Sequence, residues 1–138
     1  MSVDPLLRGP IDPKAIFVIR WVAVAGQLAA LLFTHSILKF DLPLLPALAI
    51  ISSSAIVNFW HIHAAQRRRL YHQANFLELG FDVIQIAALL YLTGGLLNPF
   101  SILILAPVVV SAAVLRRKST LLLVGLVALS VSLLALWY

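Results

Sequence analysis

Charged and amide side chains inside long apolar stretches are the residues of this sequence that could do chemistry. Glu78, Asp82 and Gln85 follow one another at spacings of four and three, so they share one face of a helix. An ionisable group in hydrocarbon costs about 2.5–3.5 kcal/mol to insert, so such groups generally face a partner, a cavity or a functional site. The candidate set, called the intramembrane polar layer below, consists of Arg20, Gln27, Asn58, Glu78, Asp82 and Gln85.

The intramembrane polar layer has two interpretations. Arg20 lies near the N-terminal end of its apolar stretch, at a depth from which it can pair with Glu78 or Asp82. We favour a structural ion pair that fixes helix packing, because both partners are present. A proton or ligand relay, such as the coupling site of a small transporter or channel, is the alternative.

Histidine and cysteine provide no pattern typical of a metal or catalytic site. The sequence has no cysteine, which excludes thiolate ligands and thiol chemistry in this chain. His61 and His63 are two residues apart and share no helical face, and His72 and His35 add no metal-ligand spacing. We therefore predict no metal site and no catalytic residue, and we interpret the histidines as interfacial residues.

The elements that must position these residues follow from the composition. Of 138 residues, 62% are hydrophobic and 11% are charged, whereas a soluble domain is about half apolar and about a quarter charged. So little polar surface excludes a water-soluble domain, and disorder requires the opposite composition. The chain is therefore predicted to be an all-α, polytopic membrane protein.

Apolar stretches account for almost the whole chain. A transmembrane helix needs about 20 residues, with a range of about 17 to 25. The stretches predict a bundle of about five transmembrane helices at residues 15–38, 44–64, 74–93, 100–115 and 120–138. Residues 15–138 then form one transmembrane domain, preceded by an N-terminal segment at residues 1–14. The fourth stretch is short and contains Pro107, which predicts a kink.

The positive charges predict the orientation of this bundle. The net charge is +5, and nine of the ten Lys and Arg residues lie on one side, many of them in the clusters Arg67–Arg69 and Arg116–Lys118. The positive-inside rule places that side, with the N-terminus, in the cytoplasm. Short basic clusters between spans are what membrane insertion requires, so we expect the lipid bilayer and no nucleic acid as a partner.

The loop between the third and fourth stretches is the most specific feature of the sequence. It reads Thr-Gly-Gly-Leu-Leu-Asn-Pro-Phe over residues 93–100. Two glycines can end a helix, and Pro99 keeps Asn98 out of the α region and suits the first turn of the next helix. A tight turn between helices explains the glycines and the proline, but it leaves Asn98 and Phe100 free to vary.

The Gly-Gly-x-x-Asn-Pro-Phe pattern resembles the quinone-binding motif of the RegB/PrrB/ActS family of redox-sensing histidine kinases. The similarity extends to Phe81–Gln85 in the third span and to Leu105–Val108 after the motif. It also includes Arg20–Ala23 and Gly26–Gln27 in the first span, so it covers nearly the whole chain. Motif, position and topology together indicate the N-terminal transmembrane sensing domain of this family.

The resemblance implies a sensor of the bacterial inner membrane that binds ubiquinone and reports the respiratory redox state. The implied quinone site consists of Gly94, Gly95, Asn98, Pro99 and Phe100. Asn98 would donate its amide N–H to a quinone carbonyl, and Phe100 would pack on the ring. Tyr91 and His35 lie at a comparable depth and could add hydrogen bonds.

The rest of the implied kinase is expected to lie outside this sequence. The family has six spans, a dimerisation helix pair with the phosphorylated histidine and an ATP-binding kinase region, and it phosphorylates a response regulator. Since the sequence ends at Tyr138 after a fifth span, we expect no phosphotransfer from it alone, and ATP belongs to the missing region. A homodimer and a cytoplasmic response regulator are the implied partners. A small transporter or channel and a structural membrane subunit are the alternatives.

Overall fold

The computed structural model describes residues 13–39, 41–65 and 71–138, and these ranges contain helices and no strand. The α-helices are α1 (Pro13–Ser36), α2 (Leu44–Ala65), α3 (Tyr71–Leu92), α4 (Ala106–Val114) and α5 (Arg117–Trp137). Two 3₁₀ segments, Gly95–Leu97 and Pro99–Leu105, connect α3 to α4. The predicted all-α bundle is confirmed. The cluster Arg67–Arg69 and most of the N-terminal segment lie outside the described residues.

Two helices of the described chain are long and apolar enough by themselves to cross a bilayer. They are Phe17–Ser36 with 20 residues and Arg117–Trp137 with 21 residues. Leu44–Trp60 and Pro99–Val114 are apolar but shorter. The shorter elements and the more polar α3 pack with the two long helices, since α1 contacts α2 and α5 contacts both α3 and α4. We therefore treat all five as spans of one bundle.

The fourth span changes its helix type next to the predicted kink. Pro107 has no N–H with which to bond the carbonyl of Leu103, and that carbonyl instead accepts a bond from the N–H of Ala106. The seven 3₁₀ residues before α4 and the nine residues of α4 together rise about 28 Å. Because 3₁₀ helices rise about 2.0 Å per residue, this short stretch approaches the roughly 30 Å of a hydrocarbon core.

Helix α3 is the central element of the bundle and contacts α2, α4 and α5. One buried apolar cluster joins α3 to the fourth span and α5; it consists of Val83, Ile86, Leu90, Ile104, Leu123, Val127 and Leu134. A second joins α3 to α1 and α2; it consists of Leu31, Ala47, Ile51 and Leu89. Glu78, Asp82 and Gln85 lie on the same face of α3 as Leu89 of the second cluster, so the packing of α3 against α1 and α2 positions the candidate site.

The outer surface of the described bundle is strongly apolar. Large aliphatic side chains point outward along its length, including Leu45, Leu97 and Leu136, each more than four-fifths exposed. A continuous surface of this kind in water would drive aggregation, whereas in a bilayer it contacts lipid chains of the same polarity. The exposed surface thus agrees with the membrane location predicted from the composition.

Candidate functional site

The charged members of the intramembrane polar layer form one ion-paired group between α1 and α3. The Arg20 guanidinium pairs with the Glu78 carboxylate through Nη1 and lies 3.3 Å from Asp82 Oδ1 through Nη2. The side chains are largely buried, with exposed fractions of 12% for Arg20 and Glu78 and 22% for Asp82. The Arg20 guanidinium therefore contacts two carboxylates near the N-terminal ends of both helices.

The amide members form a second level, seven residues further along both α1 and α3. Gln85 is buried, and its Nε2 donates to Gln27 Oε1 at 3.0 Å and to the Ile50 carbonyl at 3.3 Å. Its Oε1 accepts a hydrogen bond from the Ser54 hydroxyl. One amide thus connects α1, α2 and α3.

In helix α2, one residue that the sequence does not predict joins this hydrogen-bond network, and one predicted residue does not. Ser54 is not predicted from the sequence, although the serine run Ser52–Ser54 inside an apolar helix is a signal for it. Asn58 is buried four residues after Ser54, and the hydrogen-bond network of the described residues around Gln85 does not include it.

The outer turn is held together by the side chain of Asn98. Asn98 Nδ2 donates to the Thr93 carbonyl at 3.2 Å and to Thr93 Oγ1 at 2.7 Å, and Oδ1 accepts from the Phe100 N–H at 2.9 Å. Asn98 therefore caps the 3₁₀ segment that begins at Pro99. The amide nitrogen expected to donate to a quinone carbonyl already has two acceptors within the turn in this conformation.

The glycine pair gives the turn its backbone path. Gly94 and Gly95 have φ of 106° and 62°, in the left-handed region that glycine adopts without steric cost. Gly95 is buried, and a Cβ at this position would collide with the ring of Tyr138. Glycine at residue 95 is therefore required both by its dihedral angle and by the close approach of an aromatic ring.

Replacing Gly95 by alanine is expected to destabilise the domain by about 1–3 kcal/mol, because a non-glycine residue at positive φ is strained. Thermal unfolding in detergent measures the effect. Gly26→Ala is the matched control, since Gly26 lies within α1 with no atom within 4 Å of a new Cβ. Alanine favours helix there by up to about 1 kcal/mol. Equal melting temperatures for the two variants would contradict the prediction.

A small cavity of about 40 Å³ lies beneath the outer turn between α1 and α3. Its polar lining residues are Gln27, Thr34, Thr93 and Asn98. Its apolar lining residues are Ala30, Leu31, Ile86, Leu89, Leu90, Phe100 and Leu103. At roughly 10–15 Å³ per water, the volume holds about three water molecules.

Aromatic side chains lie on both sides of the turn. On one side, Phe100 packs edge-on against the half-exposed ring of Phe33, with ring centres 5.8 Å apart. On the other side, Tyr91 packs against Trp137 and Tyr138, and the Tyr138 hydroxyl donates to the Tyr91 carbonyl. The turn is thus enclosed by rings from α1, α3 and α5.

Some of the predicted site residues line the cavity and others do not. The cavity lining combines Asn98 and Phe100 of the turn with Gln27 of the polar layer. Tyr91 and His35 are both exposed to the surroundings and do not line this cavity. The side chains of His61, His63 and His72 lie outside the described residues.

Comparison with known proteins identifies the family. The profile of the PilS-like transmembrane domain matches residues 15–138, almost the whole chain. The chain belongs to the PilS-like transmembrane domain family. It is also 40% identical over 111 residues to the protein named sensor histidine kinase RegB from Cereibacter sphaeroides. That match covers 80% of this chain and 24% of the relative. No solved structure matches the chain.

The family membership confirms the resemblance to the RegB family that the turn motif indicates. This chain is a PilS-like transmembrane domain that is similar to part of a sensor histidine kinase. The cytoplasmic location of its N-terminus stays a prediction from the positive charges. The chain spans about a quarter of the length of the RegB relative.

Proposed function

We propose that this PilS-like domain binds the head group of ubiquinone beneath the outer turn and so acts as a redox sensor. One observation carries the proposal: Asn98 and Phe100 of the motif line the same cavity as Gln27 and Thr34 of α1. A turn built only to connect two helices requires no such convergence with a third helix. The proposal therefore gives the motif a function beyond reversing the chain direction.

The chemistry of the cavity suits a quinone. A quinone is a flat ring with two carbonyl acceptors and an apolar tail, and most lining residues are apolar with a few polar groups among them. Phe100 can pack against the ring, and its partner Phe33 lies at the lipid-facing surface. The isoprenoid tail would remain in the bilayer beside exposed side chains such as Ile102.

The size of the cavity implies that binding changes the turn. A space for about three waters is too small for a substituted ring, so the ring must displace side chains. Phe100 and Leu103 are suited to move, because both belong to the 3₁₀ segment rather than to the longer helices. A ligand shifts a conformational equilibrium only through its difference in affinity between the two states. Displacement of this segment would provide that difference.

The proposed partners follow from the same class of protein. The domain would operate in a homodimer, and quinone occupancy would control a kinase region that uses ATP and phosphorylates a cytoplasmic response regulator. The fourth span is the proposed transmission element, since it connects the outer turn to Arg116–Lys118 and then to α5. A small transporter using Arg20, Glu78 and Asp82 is the alternative function. Substrate-dependent flux in liposomes would favour it.

The test is a titration of the domain in lipid nanodiscs with a short-chain ubiquinone. Quenching of tryptophan fluorescence measures the bound fraction. Phe100→Ala is expected to weaken binding about tenfold, because the ring loses its aromatic contact and part of the apolar enclosure. Phe17→Ala is the matched control, because Phe17 is a half-exposed phenylalanine at the other end of α1. Wild-type affinity in Phe100→Ala would remove the turn from the site.

A further inference from the structure

Asn98 does not present a free donor to the cavity. Its two amide N–H groups are bonded to the carbonyl and the hydroxyl of Thr93. The hydroxyls of the two cavity threonines also have acceptors, since Thr34 donates to the Ala30 carbonyl at 2.8 Å and Thr93 to the Leu89 carbonyl at 2.7 Å. A carbonyl ligand therefore needs a donor from another residue.

The orientation of Gln85 determines which amide atom of Gln27 is bonded to it. A backbone carbonyl can only accept, so the Gln85 atom beside the Ile50 oxygen must be its Nε2. The same Nε2 faces Gln27, and the Gln27 atom opposite it must then be the acceptor Oε1. The amide nitrogen of Gln27 consequently points away from Gln85.

Gln27 Oε1 accepts from Gln85, and no hydrogen bond donated by Gln27 Nε2 is found among the described residues. Gln27 also lines the cavity. An amide N–H₂ group beside a mostly apolar cavity can be satisfied by an acceptor that enters that space, either water or a ligand atom. The position thus has the properties of a ligand-recognition group.

We infer that Gln27 Nε2 donates the hydrogen bond that recognises a quinone carbonyl, while Asn98 shapes the turn above it. The inference rests on the proposed function and assigns its donor to a residue of α1 outside the turn motif. Gln27 is itself held by Gln85, which bonds to Ser54 and Ile50 of α2. Ligand contact at Gln27 would therefore act directly on the packing of three helices.

Two measurements test the inference with the full chain in nanodiscs. Gln27→Met preserves the side-chain length but removes the donor, and it is expected to weaken binding of ubiquinone-1 about tenfold. Ser130→Ala is the control, because Ser130 lies in α5 outside the cavity lining and its hydroxyl is bonded to the Leu126 carbonyl, and its affinity should stay within about twofold. Wild-type affinity in Gln27→Met would overturn the inference.

Infrared spectroscopy with carbonyl-labelled ubiquinone-1 gives a second readout. In the wild-type protein one carbonyl band is expected at lower wavenumber than in lipid alone, and Gln27→Met should shift it back. Two unshifted bands in the wild type would overturn the inference even if Gln27→Met does not fold. Absence of saturable quinone binding to the wild type would overturn the proposed function and this inference together. Saturable binding with the same affinity in the wild type and in Gln27→Met would overturn only the inference.

Discussion

Replacement of Arg20 by alanine is expected to destabilise the domain by about 3–5 kcal/mol, the largest effect of any single substitution considered. Arg20 is the cation that pairs with both Glu78 and Asp82 between α1 and α3. Removing one partner of a buried ion pair leaves uncompensated charge in a medium that solvates it poorly. Unfolding by denaturing detergent, followed by circular dichroism, measures the loss.

A combined substitution and a control substitution distinguish the loss of charge compensation from a general loss of folding. Adding Glu78→Gln and Asp82→Asn to Arg20→Ala should restore most of the stability, because no uncompensated carboxylate then remains. Arg117→Ala removes an exposed cation and should change stability by less than about 0.5 kcal/mol. An Arg20→Ala domain as stable as Arg117→Ala would show that the pair does not fix helix packing.

If the ion pair has a structural role, replacement of Asp82 should affect folding less than replacement of Arg20. Asp82→Ala should lower the yield of folded protein less than Arg20→Ala, since Arg20 and Glu78 remain paired. A fully stable Asp82→Ala domain with an altered response to ligand would favour a relay in place of a structural pair.

Replacement of Asn98 by alanine is the second large effect, an expected destabilisation of about 2–4 kcal/mol. The substitution leaves the Phe100 N–H without its side-chain acceptor and Thr93 without its donor. Loss of a cap costs about 1 kcal/mol, and each buried group left without a partner adds a further 1–3 kcal/mol at most. Thermal unfolding in nanodiscs measures the change.

Asn98→Asp is the matched control for this prediction. Aspartate keeps an oxygen for the Phe100 N–H but cannot donate to the Thr93 oxygens when ionised. It should therefore retain the cap and lose the remainder of the network. Quinone affinity should fall together with stability in Asn98→Ala, whereas Gln27→Met should reduce affinity with a smaller loss of stability, since Gln85 Nε2 keeps its bond to the Ile50 carbonyl. Full stability of Asn98→Ala would contradict the turn-building role.

Composition and periodicity predict the fold class of this chain because they depend only on the solvent that each helix faces. A chain that is 62% hydrophobic cannot cover a soluble surface, and spacings of three and four place Glu78 and Asp82 on one face whatever the neighbours are. The pairing of Arg20 with Glu78 or Asp82 is predicted equally from cost, since each charge in hydrocarbon requires a partner, and the structure adds that Arg20 contacts both. The turn motif predicts a tight turn for a different reason, because glycine and proline suit its backbone path. Its resemblance to the RegB/PrrB/ActS motif indicates the family.

The role of each amide is decided by the tertiary structure alone. Asn98 and Gln27 are chemically alike in the sequence, and both can donate to a carbonyl. Packing places Asn98 against Thr93, where its amide nitrogen has acceptors, and places the Ile50 carbonyl beside Gln85, which makes Oε1 the Gln27 atom that faces Gln85. A hydrogen bond joins atoms of distant segments within about 3 Å. Its partners are therefore set by how α1, α2 and α3 meet, and local sequence does not contain that information.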